Sequence, residues 1–180
     1  MRKIFFSIAV LVSFISEAQV RKITLQASGL TCSMCSNAIN KSLKSLDAVE
    51  QVNSLIKTSS FEIILRPGRE INFDMVRKKV EDAGFFVARM EALMSFDEVK
   101  VVDDSHVSAS GMILHFLNSK NQVLSGEHTI RILDKGFVTA KEFRKGERYT
   151  AMGCYKTGVA GSCCSSYDLK PGTRIYHVSI

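Results

Sequence analysis

The chain has 180 residues, enough for one large domain or two small ones, and its 24 lysines and arginines against 18 acidic residues give a formal net charge of +6. The basic residues are dispersed, with runs limited to Arg77-Lys78-Lys79 and a mixed stretch from Lys141 to Arg148, and aromatic residues are not interleaved among them. A nucleic-acid-binding surface is therefore not expected, and no Ser-His-Asp order, paired carboxylate or phosphate-cradling glycine loop argues for an enzyme.

Residues 1–18 read as a secretory leader. Arg2 and Lys3 form a positive start, Ile4 to Ile15 is almost continuously apolar, and Ser16-Glu17-Ala18 offers small residues for cleavage before Gln19. The apolar run is shorter than the about 20 residues that span a bilayer. The expectation is an exported protein, periplasmic or secreted, with no stable membrane insertion after cleavage. Losing Arg2, Lys3 and Glu17 leaves 22 basic and 17 acidic residues.

Lys22-Ile23-Thr24-Leu25-Gln26-Ala27 alternates polar and apolar residues, the period of a strand with one buried face. Gly29 interrupts it, and Gly29-Leu30-Thr31-Cys32-Ser33-Met34-Cys35 follows as a loop. Ala38, Ile39, Leu43 and Leu46 then recur at helical spacing. Val49-Glu50-Gln51-Val52 and Ser60-Phe61-Glu62-Ile63-Ile64-Leu65 read as two strands, the second stopped by Pro67-Gly68. Asp74 stands where an N-cap is expected, ahead of a helix that Gly84 ends, and residues 85–90 form a last strand. The order β-α-β-β-α-β is the ferredoxin-like arrangement.

Two thiols at Cys-x-x-Cys spacing can converge on one soft ion or close into one disulfide. A helix N-terminus beside them favours thiolate. The loop has no His or carboxylate, which excludes hard ions such as Mg(II) and Ca(II). No second Cys-x-x-Cys follows at ribbon or finger spacing, which argues against a structural four-ligand zinc site. A structural disulfide and a thioredoxin-like redox pair are the competing readings of Cys32 and Cys35.

Residues 20–94 resemble a heavy-metal-associated domain, the module of copper chaperones, of copper-ATPase N-terminal domains and of periplasmic mercury-binding proteins. The residues that carry the resemblance are Gly29 to Cys35 and the loop Asp82-Ala83-Gly84-Phe85. It implies that Cys32 and Cys35 bind one metal ion, Cu(I) first and another soft ion such as mercury as the alternative, and that Phe85 sits beside the site. Leu30 replaces the family's loop Met, an exchange of similar volume expected to pack inward with little effect. The resemblance further implies a metal-donor or metal-acceptor partner, such as a copper transporter, and a binding protein, not an enzyme.

From Ser95 onward the helical periodicity fades. Residues 95–104, with Asp97, Glu98, Asp103 and Asp104, read as a polar linker. Residues 105–180 read as a small all-β barrel or sandwich, so that the whole is α+β. Its strand candidates are residues 112–117, 129–133, 137–143 and 174–180, with 99–102 leading in. The stretch from Gly153 to Ser166 reads as a mobile loop, and it carries Cys154, Cys163 and Cys164. In an exported compartment a disulfide from Cys154 to Cys163 or Cys164 is the preferred reading. The competing one is a second soft-metal site made by the three thiolates. His115 and His177 are expected to be hydrogen-bonded strand residues, and His106 and His128 have no partner at ligand spacing. Two alternatives for the whole chain are a thiol–disulfide oxidoreductase working through Cys32 and Cys35, and an interaction module that no longer binds metal, against which the intact Cys32 and Cys35 argue.

Overall fold

The computed structural model describes residues 19–30 and 32–180, so the expected leader lies outside the described residues. Strand β1 (Gln19–Ser28) leads into helix α1 (Ser33–Lys44), then β2 (Val49–Leu55), β3 (Ser60–Leu65), helix α2 (Phe73–Asp82) and β4 (Phe86–Val101). The second half runs β5 (Ser105–Ala109), β6 (Met112–Phe116), β7 (Gln122–Ile132), α3 (Ala140–Gly146), α4 (Cys154–Thr157), a 3-10 segment (Ser162–Tyr167) and β8 (Ile175–Ser179).

The first six elements are the expected β-α-β-β-α-β unit, with β1 antiparallel to both β3 and β4. Apolar residues drive it at the expected periods. Ile23, Leu25, Phe61 and Ile63 are fully buried on the strands, and Ile39, Leu43, Phe73, Val76 and Val80 on the helices. The N-cap of α2 is Asn72, whose side chain accepts the Asp74 backbone N–H at 2.8 Å. Asp74, expected in that role, sits inside the first turn instead and turns outward to the second half of the chain.

The expected linker is not one. Strand β4 continues through residues 95–101, pairing with β1 along its first part and with β7 from Glu91 to Val101. Met90, Ala92, Met94 and Phe96 stay buried at strict period two, so burial carries the strand past Ser95. The acidic pair Asp97 and Glu98 is absorbed by a register shift between Phe96 and Val99, where Glu98 takes a positive φ of 49°. A bulge lets the charges face water without ending the ladder.

The second half therefore extends the same sheet and closes no barrel or sandwich. Among the described residues eight strands run in the order β2-β3-β1-β4-β7-β8-β6-β5, with β2 and β5 at the edges. One core of buried residues extends from Val20 in β1 to Val178 in β8. Helix α2 ties the halves together. The Tyr176 hydroxyl lies 2.8 Å from Asn72 Oδ1 and 2.9 Å from Asp74 Oδ2, and Arg174 Nε reaches Asp74 Oδ2 at 2.7 Å. Phe73 meets the Tyr176 ring edge-on at 5.1 Å.

Two other expectations fail in this half. Residues 137–143 form a turn and then α3, because Thr139 caps that helix by accepting the Glu142 N–H at 3.3 Å, with the Glu142 carboxylate 3.3 Å from the Thr139 hydroxyl. That N-cap, with the Thr139 and Glu142 side chains also joined, overrides the strand-like composition of Phe137-Val138-Thr139. The supposed mobile loop is folded as α4 and the 3-10 segment, and it packs on the sheet with Cys154 and Cys164 buried.

Candidate functional site

Strand β1 ends at Ser28, and Gly29 turns the chain with a φ of 78°, a conformation that suits glycine. Leu30 packs against the main core, as expected of a residue standing in for Met. Cys32 is the N-cap of α1, extended at φ −143° and ψ 155°, and its sulfur accepts the Cys35 backbone N–H at 3.2 Å. Thus the first turn of α1 directs one of its otherwise unpaired N–H groups at the Cys32 sulfur. Cys32 is exposed, Cys35 is half-buried, and Met34 between them is 83% exposed. In this structure the two sulfurs are joined in a disulfide, so the pair stands in its oxidised form. Phe85 is half-buried against the core, whereas Phe86 is exposed.

A second constellation lies in the other half of the sheet. The β5–β6 hairpin turns through Ser110 and Gly111, both at positive φ, the geometry of a two-residue turn that fixes register. That register sets His106 opposite His115, and the parallel pairing of β6 with β8 sets His115 beside His177. Three histidines thus stand in one row across three neighbouring strands, on the face opposite Leu114, Phe116, Tyr176 and Val178 of the main core. Helix α4 and the 3-10 segment cover that row and bring the cysteines to it.

Cys154 Sγ lies 3.8 Å from His106 Nε2 and 3.8 Å from His115 Nδ1, and Cys164 Sγ lies 3.7 Å from His106 Nε2. Cys163 Sγ is 3.4 Å from Cys164 Sγ and accepts the Cys154 N–H at 3.3 Å. The donor atoms of His106, His115 and Cys154 all lie within 4.8 Å of one another, as do those of Cys154, Cys163 and Cys164. All three cysteines are free thiols, which corrects the preferred expectation of a Cys154 disulfide. His115 Nε2 is held by Asp104 Oδ1 at 2.8 Å, and His177 Nδ1 by the buried Asp134 at 2.8 Å. His177 Nε2 and His106 Nδ1 are buried without a hydrogen-bond partner among the described residues.

Burial dominates the electrostatics here. It depresses His106 to about 4, helped by the nearby His115 and His177, and depresses His115 to about 4, helped by His177 and resisted by Asp104. Burial also pushes the Cys154 thiol up, with Cys164 and Cys163 adding to it. Cys163 goes the other way: the N–H of Cys154 and the neighbouring thiols outweigh its burial and lower it. Both imidazoles are therefore neutral at neutral pH and present lone pairs, the form that binds metal ions.

Sequence reasoning located the three cysteines but missed His106 and His115. The readable signal was the Ser110-Gly111 turn, which places residues 106 and 115 opposite each other once both flanking runs are taken as strands. The notion that His106 has no partner rested on linear spacing, which cross-strand pairing bypasses.

Residues 24–86 match the heavy-metal-associated domain family. Over 84 residues the chain is 29% identical to a probable copper-exporting P-type ATPase of Archaeoglobus fulgidus, covering 47% of this chain and 10% of that protein. The chain thus spans a tenth of the length of that relative. Among solved structures, it is similar to a yeast copper transporter domain studied in the apo and Cu(I)-loaded states, at 31% identity and a TM-score of 0.34, covering 36% of this chain and 88% of that one. A copper-binding domain of a P-type ATPase is 28% identical with a TM-score of 0.33, covering 36% of this chain and 86% of that one. By family match, loop sequence and element order together, residues 24–86 constitute a heavy-metal-associated domain.

Proposed function

We propose that this protein is an exported soft-metal carrier that binds one Cu(I) ion through the thiolates of Cys32 and Cys35 and passes it on by ligand exchange. The observation that supports this most is the placement of the pair at the exposed N-terminus of α1 within a heavy-metal-associated domain. Thiolates select soft ions, and the first-turn N–H groups stabilise their charge. Metal binding requires the reduced pair: a dithiol or low-molecular-weight thiol supplies two electrons and two protons to the Cys32–Cys35 disulfide, and metal binding then releases the protons. Transfer proceeds when a partner thiolate attacks the two-coordinate ion, a three-coordinate intermediate forms, and one of the two donors leaves. The copper-exporting relative points to a copper transporter as donor or acceptor, and the leader-like residues 1–18 support a periplasmic or secreted location. Mercury is the alternative cargo for the same two thiolates.

The test is Cu(I) titration of the reduced protein against a chelator of known affinity. The expected result is one equivalent lost in Cys32→Ser/Cys35→Ser; an unchanged stoichiometry in that variant removes the proposal. The disulfide itself favours a second reading, a thiol–disulfide exchanger. That reading predicts catalysed insulin reduction by the metal-free protein, and no catalysis over background eliminates it.

A further inference from the structure

Two imidazole nitrogens converge on one sulfur at Cys154, and a thiol has only one proton to share between them. With its Nε2–H donated to Asp104, neutral His115 turns an unprotonated Nδ1 toward that sulfur. The Cys154 S–H can satisfy either His115 Nδ1 or His106 Nε2, not both. The Cys164 sulfur, also buried, approaches the same His106 nitrogen. The two thiol protons can each meet one of these lone pairs, Cys154 on His115 Nδ1 and Cys164 on His106 Nε2, and a cation that displaces both protons engages all four donor atoms at once.

The spacing fits a cation of a particular kind. Metal–sulfur bonds of about 2.3 Å and metal–nitrogen bonds of about 2.0–2.1 Å at a tetrahedral angle place sulfur and nitrogen about 3.6 Å apart. Three of the four sulfur–nitrogen separations in this donor set are 3.7, 3.8 and 3.8 Å; the fourth, Cys164 to His115, is wider, the donor atoms falling into two groups of three that share Cys154. The ligands come from four separate elements, β5, β6, α4 and the 3-10 segment, so an ion at their centre joins the covering segments to the sheet. Asp104 on His115 is the carboxylate–histidine arrangement that fixes the tautomer of a metal-bound imidazole.

We propose that His106 Nε2, His115 Nδ1, Cys154 Sγ and Cys164 Sγ form a second, closed metal site for a four-coordinate d10 cation, with Zn(II) the ion that a two-sulfur, two-nitrogen donor set selects. Loading releases the two thiol protons to solvent, while His115 keeps its Nε2 proton on Asp104 and His106 keeps its proton on Nδ1. Cys163, half exposed, stands outside the set. This site is independent of Cys32 and Cys35: in the sheet, β6 and β1 are separated by β8, β7 and β4. Four protein ligands leave no open position, which suits a resident ion and not a cargo in transit.

The experiment uses the full reduced chain carrying Cys32→Ser/Cys35→Ser, so that its outcome is separate from that of the Cu(I) carrier proposal. After loading and exhaustive dialysis, one equivalent of Zn(II) is expected, with Co(II) in its place giving tetrahedral d–d bands and thiolate charge-transfer absorption. Cys154→Ser/Cys164→Ser on the same background is expected to lose the ion. Because that variant can also lose its fold, Asp104→Asn provides the second arm: its backbone sits at a φ of 56°, which Asn tolerates, and Zn(II) affinity is expected to fall about 10-fold or more with the circular dichroism unchanged. No retained Zn(II), a Co(II) spectrum without thiolate charge transfer, retention of Cu(I) alone, or Asp104→Asn binding as tightly as its parent would each overturn the assignment.

Discussion

Replacing Tyr176 by Phe tests whether the two halves of the chain are one cooperative unit. The hydroxyl of this buried side chain donates one hydrogen bond toward Asn72 Oδ1 and Asp74 Oδ2, and it accepts weakly from the Asp74 N–H at 3.4 Å. Phe keeps the ring on Phe73 and opens no cavity. The partners are not orphaned: Asp74 retains Arg174, and the Asp74 N–H retains the Asn72 side chain. The loss is therefore that of one hydrogen bond to a charged group without a stranded buried atom, at the lower end of its range, about 1.5–2 kcal/mol. For a chain of this size that is about 3–8 °C in Tm. All four tyrosines, Tyr149, Tyr155, Tyr167 and Tyr176, lie in the second half, so fluorescence follows that half. Amide exchange of β1 and β3 peptides follows the other. Both probes should shift together on urea unfolding, because α2 is shared. A variant in which the fluorescence transition moves while β1 and β3 exchange at the wild-type rate would show two separable domains and refute the reasoning.

Gly146→Ala should destabilise the protein by about 1–3 kcal/mol in thermal melts, although alanine is the better helix former. A Cβ there would stand 2.0 Å from the Tyr155 hydroxyl oxygen, which is already committed to the Phe143 and Leu133 carbonyls; a gain in Tm would contradict this. The Asp74 carboxyl has burial against it, but the Arg174 hydrogen bond and charge outweigh that and hold it below 3.8. Its contribution is thus present above pH 3.8 and is lost as pH falls further through the lowered value. The stability gap between wild type and Asp74→Asn in urea titrations should shrink below pH 3.8, and a gap equal at pH 7 and pH 2.5 would exclude the ion pair as its source.

Legibility differed sharply along the chain. Residues 20–94 could be read because strand and helix periods alternate cleanly and the loop from Gly29 to Cys35 carries its chemistry in consecutive positions. Beyond Ser95 the governing facts are not local. Asp97 and Glu98 look like a break, yet the burial of Phe96 and Val101 on either side keeps the strand paired. Phe137-Val138-Thr139 has strand composition, and the cap at Thr139 decides against it. The cysteines of residues 154–164 were visible as a cluster, but their histidine partners come from strands about forty to sixty residues earlier. Only the pairing of β5, β6 and β8 brings them within reach, and β8 joins that pairing after a crossover of residues 117–174.

The position of β8 has a consequence for how the chain is made. By the time residue 101 has left the ribosome, β1, β2, β3 and the first part of β4 have all their partners among themselves, whereas β4 beyond Ser95 awaits β7. Strands β6 and β7 are different: they flank β8 without touching each other in the sheet, so each keeps a bare edge until residues 175–179 are synthesised. A nascent chain, or one stopped before residue 175, would carry those two open ladders, an invitation to pair with other copies. Loss of residues 175–179 would therefore act like the removal of a keystone, with insolubility as its first symptom.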